Sequence, residues 1–361
     1  MKERTLVVVS LLTLIAACSP AETSSSSTSI VSTTSFTPTT TVSTTTTTTT
    51  TTTTFATTTT QGDTVTVLLY PFSEMGEEWT EIVFPYGEGP ELLGTSPGGD
   101  GLTLGPEYGA QTGDGVWWFM DAGKLRIARY EEDGSYLDEL QLPPDVLVSG
   151  IYFQFQNPIA LDDGTVLASG YPEENLTSIL TITSEAITST NLDRTDSWLT
   201  TDGLSLFGFS AEDQSLAVLD PEVMVATSTE WFLTRSGDRY MVSIEGSSLS
   251  ITLPDQGVTK TLQLRFSEDP SVEVGAAIEV ETGVDGTIFI LFYGAPSNDE
   301  SMGIGGFVSI GPDGTVSESE PVVNLFTPAD PGSPSHLGVT PETSNPWIMV
   351  VAEDGVHVYL R

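Results

Sequence analysis

Cysteine is almost missing from this 361-residue chain: Cys18 is the only one. No disulfide can therefore staple the rest, and about 300 residues must be held by their own apolar core, which that length allows. Histidine is nearly as scarce, with only His336 and His357. Two distant histidines make a zinc site a poor expectation, and no His-Glu-x-x-His occurs. Basic residues are few as well: 11 Lys and Arg stand against 50 Asp and Glu, a net charge of −39. That balance repels nucleic acid and anionic lipid surfaces, so no nucleic-acid partner is expected. Helical periodicity is also nearly absent. The first apolar run, Leu6 to Ala17, is about twelve residues, short of the roughly 20 a membrane-spanning helix needs.

What is present starts at the N-terminus. Lys2 and Arg4 precede that apolar run, and Ile15-Ala16-Ala17-Cys18 closes it. A charged start, a short apolar stretch and small residues before a cut are the layout of a secretory signal. Ile15-Ala16-Ala17-Cys18 also resembles the lipobox of bacterial lipoproteins. The resemblance implies cleavage before Cys18, acylation of Cys18 with several chains, and attachment to the lipid bilayer outside the cytoplasm. One acyl chain holds only marginally, several hold stably. Between Ala21 and Thr60, 31 of 40 residues are Ser or Thr, with an unbroken threonine run from Thr44 to Thr54. Such a tract cannot bury enough apolar surface to offset chain entropy, so residues 18–61 are expected to form a disordered, mucin-like stalk. As a bare coil its ends would lie about 35 Å apart. The division is thus 1–17 signal, 18–61 lipidated stalk and 62–361 folded domain.

The folded part is turn-rich. Asp-Gly pairs precede apolar runs at Val116–Met120, Thr165–Ala168, Leu204–Phe207 and Thr287–Leu291. Other Asp-Gly pairs, at 133–134, 313–314 and 354–355, separate further strand-like segments. Asp-Gly supplies the positive φ values of tight hairpins, and runs apolar at successive positions fit strands buried on both faces. Close turns with alternating strands predict an all-β antiparallel fold. An irregular recurrence every 30–60 residues points to a β-propeller. Apolar strands near 116, 165, 204, 231, 287 and 347 are candidates to line a central channel, which suggests six blades, with five or seven open. The terminal strand from His357 to Arg361 is expected to close the ring by pairing with Thr64–Leu69.

Residues Gly113–Tyr130, followed by Glu131-Glu132-Asp133-Gly134, resemble one blade of the NHL-repeat family. Asp121, Arg126, Ile127 and Tyr130 match its pattern, and Lys124 stands where that family has asparagine. The resemblance implies a propeller. Asp121 and Arg126 are read as a structural pair, one carboxylate and one guanidinium joined by a bidentate bond within a blade.

Catalytic signals are thin. No Gly-x-Ser-x-Gly elbow is present, and Gly303-Ile304-Gly305-Gly306 is too short for a phosphate loop. His336, placed in a loop, is the one candidate general base, and His357 reads as ordinary strand packing. Paired carboxylates can hydrolyse without histidine, but sequence cannot choose a pair among so many acids. Trp117, Trp118, Trp198, Trp231 and Trp347 serve either core packing or sugar stacking. Adjacent Trp117 and Trp118 face opposite ways on a strand and cannot make one patch. Clustered carboxylates leave Ca²⁺ binding open, although no loop of EF-hand spacing occurs. The expected role is a surface-tethered lipoprotein presenting a propeller to an extracellular protein or glycan, with no cofactor and no assigned metal residue. The alternative is an envelope hydrolase, lyase or lactonase working through channel carboxylates, with or without a divalent metal.

Overall fold

The structure, a computed structural model, describes residues 63–97, 103–104, 106, 108–121, 123–142, 156–173, 176–192, 198–210, 215–219, 226–299, 301–325 and 336–361. Cys18, the signal and the stalk lie outside the described residues.

Every described element is a strand or a turn. The chain opens with β1 (Thr64–Pro71), β2 (Thr80–Pro85) and a short ribbon of β3 (Ser96–Pro97) and β4 (Thr103–Leu104). A four-stranded sheet follows in chain order: β5 (Gly109–Gln111), β6 (Trp117–Asp121), β7 (Arg126–Tyr130) and β8 (Tyr136–Gln141). The next is β9 (Gln156–Ala160), β10 (Val166–Glu173), β11 (Leu176–Ile182) and β12 (Ile187–Leu192). The third is β13 (Trp198–Thr201), β14 (Leu206–Ser210), β15 (Ser215–Leu219) and β16 (Ala226–Thr229). Then come β17 (Phe232–Leu233), β18 (Arg239–Glu245), β19 (Ser248–Leu253) and β20 (Val258–Phe266). After them run β21 (Val274–Thr282), β22 (Ile288–Pro296) and β23 (Ile304–Ile310). These last two groups are joined through β1 into one eight-stranded sheet. The final sheet is β24 (His336–Val339), β25 (Pro346–Val351) and β26 (Gly355–Leu360), with β2 as its outer strand.

Antiparallel pairing of β2 with β26 runs from Thr80↔Leu360 to Pro85↔Gly355. A strand from the start of the domain therefore completes the sheet at its end. β5 lies beside β9 and β24, β9 beside β13, and β24 beside β21. Phe232 of β17 meets Phe207 of β14, and the Arg235 N–H just after β17 donates to Thr282 of β21, so the arc is completed into a closed ring with the first strands around a common axis.

The ring corrects two expectations. Closure is made by β2, not by Thr64–Leu69. β1 instead runs parallel to β20, with Thr64 opposite Thr261 and Leu69 opposite Phe266, and its end pairs with β23. The reason is in the side chains. Val67 and Leu69 enter the core shared with Leu262, Leu264 and Phe292. Phe84 of β2, fully buried, fills the aromatic seam between the last and first sheets with Trp117, Phe119, Tyr130 and Trp347.

Second, of the apolar runs expected on the axis, the one near 231 falls in the first strand β17, and Trp347 of the run near 347 reaches the recess, but those near 116, 165, 204, 287 and 347 lie one strand out. They form the second strands β6, β10, β14, β22 and β25; the axial strands β5, β9, β13 and β24 are shorter, while β21 matches β22 in length. β6, β7 and β25 are buried at every position because neighbouring sheets cover both faces. β19, by contrast, alternates buried and half-buried residues.

The Asp-Gly turns supply the expected positive φ, and supply it at glycine, as at Gly164 (83°) and Gly286 (83°); Asp354-Gly355 alone among those named has none. Gly164 N donates to Leu161 O, and Thr165 N donates to the Asp163 carboxylate at 2.9 Å. Aspartate thus serves as a hydrogen-bond acceptor within a turn followed by a glycine bulge, not as a left-handed residue.

Candidate functional site

The first strands end in a repeated device. Thr112, Thr201, Thr234, Thr282 and Thr340 are all buried, and each stands at the turn leading to the second strand of its sheet. One residue past Thr234 comes Arg235, whose side chain is only 3% exposed. Its backbone N–H donates to Thr282 Oγ1 at 3.2 Å. Its guanidinium reaches the second sheet: Nη1 donates to Asp162 Oδ1 at 2.9 Å and Nη2 to Ala160 O at 3.1 Å.

These strands enclose an axial recess. Gln111 of β5, Ile159 of β9, Thr201 of β13, Arg235, Glu281 of β21 and His336 of β24 all line it. Glu279 and Glu281 are two apart on β21, so they share one face of the strand. Burial pushes the Glu281 carboxyl up to about 7, with Arg235 pulling it back. Burial pushes Glu279 further, to about 8, against the hydrogen bond its Oε2 accepts from Leu337 N at 2.6 Å. Glu279 keeps 21% of its side-chain surface open. Protein covers the rest of the side chain, which disfavours the charged form.

His336 Nδ1 lies 3.7 Å from Glu279 Oε2, beyond direct hydrogen bonding. Burial holds the imidazole down at about 4, hence neutral at pH 7. Its ring meets Tyr108 and Trp347 edge-on, with centroids 6.1 and 5.5 Å apart. Near neutrality the axis therefore holds a protonated acid, a half-ionised acid and a neutral base. Among the described residues, no group of three or more His, Cys, Asp or Glu is placed to hold a metal.

The sequence-derived residues fall elsewhere or in other roles. His336 begins β24 and is not in a loop. His357 bridges the closure strands: Nδ1 lies 2.8 Å from Glu81 Oε1, Nε2 lies 2.9 Å from Asp354 Oδ1, and Tyr359 Oη donates to Glu81. Trp117 and Trp118 are buried on opposite sides of β6, in two different clusters. Trp231 is half-buried, with the Arg239 guanidinium 5.9 Å from its ring centre.

Asp121 and Arg126 are opposite partners on β6 and β7, with Nε 2.9 Å from Oδ2. The contact is single, not bidentate, because both groups have further partners. Gly94 N donates to Asp121 at 3.1 Å. Arg126 donates to Pro90 O, Leu92 O and Glu139, and Lys124 Nζ to Gly89 O and Leu92 O. The pair clamps the segment that carries the chain from β2, in the last sheet, back onto the first sheet. Sequence reasoning passed over Arg235, Glu279 and Glu281. The signal available was the Glu-x-Glu alternation in Ile278–Thr282, within a strand otherwise apolar at Val274, Ile278 and Val280.

A closed ring of radial sheets with a polar recess on its axis is a β-propeller with an axial site. Residues 77–361 match the family described as "Domain of unknown function (DUF7485)", and the chain belongs to that family. No curated protein matches it. Among solved structures it is similar to hydrazine synthase of Kuenenia stuttgartiensis, at 12% identity and a TM-score of 0.42 over 73% of this chain and 76% of that one. Virginiamycin B lyase of Staphylococcus aureus gives 11% and 0.37, over 79% and 99%. Regucalcin of Agrobacterium tumefaciens, a calcium-binding protein, gives 11% and 0.39, over 82% and 95%. These likenesses are loose, and none says what this chain binds or converts. Among the described residues no helix is long and apolar enough to cross a membrane.

Proposed function

We propose that this protein is an exported lipoprotein, acylated at Cys18, whose Ser/Thr-rich stalk presents a six-bladed, NHL-like propeller for capture of an extracellular ligand at the axial recess. The observation that carries the binding reading is convergence. β5, β9, β13, β21 and β24, together with the turn after β17, all contribute side chains to one recess. A purely structural axis would be filled by apolar residues, whereas this one holds Arg235, Glu281 and His336. Glycan and peptide arrays probed with the full chain test it: retention that is lost in Gln111→Ala and Glu281→Ala supports the reading, and retention untouched by both overturns it. For the anchor, Cys18→Ser should release the protein from the membrane fraction, and a variant that stays bound removes the lipidation claim.

A second reading, an envelope hydrolase, lyase or lactonase, is favoured by one observation. Neutral His336 beside protonated Glu279 is an acid and a base within one channel, the pairing general acid–base chemistry uses. Turnover of ester or lactone substrates abolished by His336→Gln supports it.

A further inference from the structure

Arg235 spends three of its donors on bridging the axis. Its backbone N–H goes to Thr282 Oγ1 at the end of β21, Nη1 goes to Asp162 and Nη2 to Ala160 O in the second sheet. Those two sheets are not neighbours: β9 lies beside β5 and β13, and β21 beside β24. One donor is left over. Arg235 Nε is buried and meets no acceptor among the described residues. A buried guanidinium N–H without an acceptor is costly, and a charged donor more so. Glu281, one residue before Thr282, lines the same recess, and Arg235 is the cation that acts on it. The recess has room for about one water, a gap that a change of Glu281 rotamer covers. We infer that Arg235 and Glu281 form a proton-controlled latch across the axis: protonated Glu281 leaves Nε to a single water, and ionised Glu281 swings onto Nε, expels that water and ties β21 to the second sheet through one guanidinium. The latch does not depend on what the recess captures.

Closing it breaks the Glu281 O–H and sends the proton to solvent. The carboxylate then accepts the Nε–H, and no covalent bond forms between the residues. Burial raises the Glu281 carboxyl and Arg235 pulls it back, to about 7. The other groups that face it change little where it titrates. Burial keeps the phenols of Tyr240 on β18 and Tyr293 on β22 protonated and the His336 imidazole on β24 neutral. Asp162 is paired with Nη1, and Asp202 accepts the N–H groups of Leu204 and Ser205. Glu279, on the same strand, titrates at about 8 and is the one overlapping group. The ionised share of Glu281, and with it the closed latch, should therefore rise about tenfold between pH 6 and pH 8.

The test is proton–nitrogen NMR of the arginine Nε–H groups in the full chain from pH 5.5 to 8.5, with Arg235 assigned through Arg235→Lys. Glu279→Gln is titrated alongside to remove the overlapping step. An Arg235 Nε–H that moves downfield with the midpoint of the Glu281 carboxyl, gains about tenfold protection from exchange between pH 6 and pH 8, and loses both responses in Glu281→Gln supports the latch. A hydrogen-bond coupling between Nε and the Glu281 carboxylate carbon at pH 8 reads the same bond in the wild type, with no variant needed. An Nε–H that stays fixed while Glu281 titrates, or that responds equally in Glu281→Gln, overturns the latch. Either result leaves ligand capture to be judged by the arrays alone.

Discussion

Glu279→Gln should make this protein more stable, and by an amount that depends on pH. In the folded state the Glu279 carboxyl titrates at about 8, against an ordinary value of 4.5. A carboxyl raised on folding keeps its proton in the native chain while the unfolded chain loses it. Stability is therefore unaffected below about pH 4.5, falls as pH rises through the interval, and levels off above about 8. At pH 7 the cost to the native state is about 3 kcal/mol, rising to about 4 kcal/mol at pH 8 and about 5 kcal/mol from pH 9 upward. Glutamine has no proton to lose, and its amide oxygen still accepts the Leu337 N–H that Oε2 takes at 2.6 Å. For a domain of this size that stabilisation corresponds to about 5–15 °C in Tm. Differential scanning calorimetry of both proteins from pH 4.5 to 9 reads it directly. The curves should coincide at the acid end and diverge towards pH 8. A difference that is constant with pH, or a less stable variant, would refute the claim that Glu279 is buried without a cationic partner.

Three further outcomes follow from other parts of the ring. Arg126→Met leaves Asp121, fully buried, without its cation and unclamps residues 87–94; a loss of about 3–5 kcal/mol in urea unfolding is expected, with early proteolytic cleavage in that segment. For His357, burial lowers the pKa, but hydrogen bonds to Glu81 and Asp354 outweigh it and raise it overall. Its contribution is present below the unfolded value near 6.5 and lost as pH rises through the folded one, while Glu81 and Asp354, both lowered, hold theirs down to acid pH. The Tm difference between wild type and His357→Gln should thus be largest between about pH 4.5 and 6.5 and shrink above it. Gly164→Ala meets open space but an unfavourable φ of 83°, so it should cost about 1 kcal/mol by chemical denaturation; no loss would mean the turn is not the bulged form described.

Strand content was readable because its signals are local. An Asp-Gly turn with an apolar run behind it, as in Asp285–Leu291, needs no distant partner to be recognised, and Asp121 and Arg126 face each other across a single short hairpin. The axial strands carry no such signal. Gly109-Ala110-Gln111 and Leu199-Thr200-Thr201 are short and polar, and they become axial only because the sheets close around them. Ring closure was misread for a related reason. Thr64–Leu69 and Thr80–Pro85 are both plausible edge strands, and only the fit of Phe84 between Trp117 and Tyr130 selects β2. Glu279 and Glu281 look like any of 50 acids until the ring excludes water from them.

The account stands on β21 presenting its glutamates to a confined axis. Carbon-13 NMR of selectively labelled glutamate carboxyls, titrated from pH 3 to 10 and assigned through Glu279→Gln and Glu281→Gln, measures this directly. Midpoints near 8 and 7 are expected. Two midpoints near 4.5 would mean that both side chains face bulk water, and the axial recess would not exist as described.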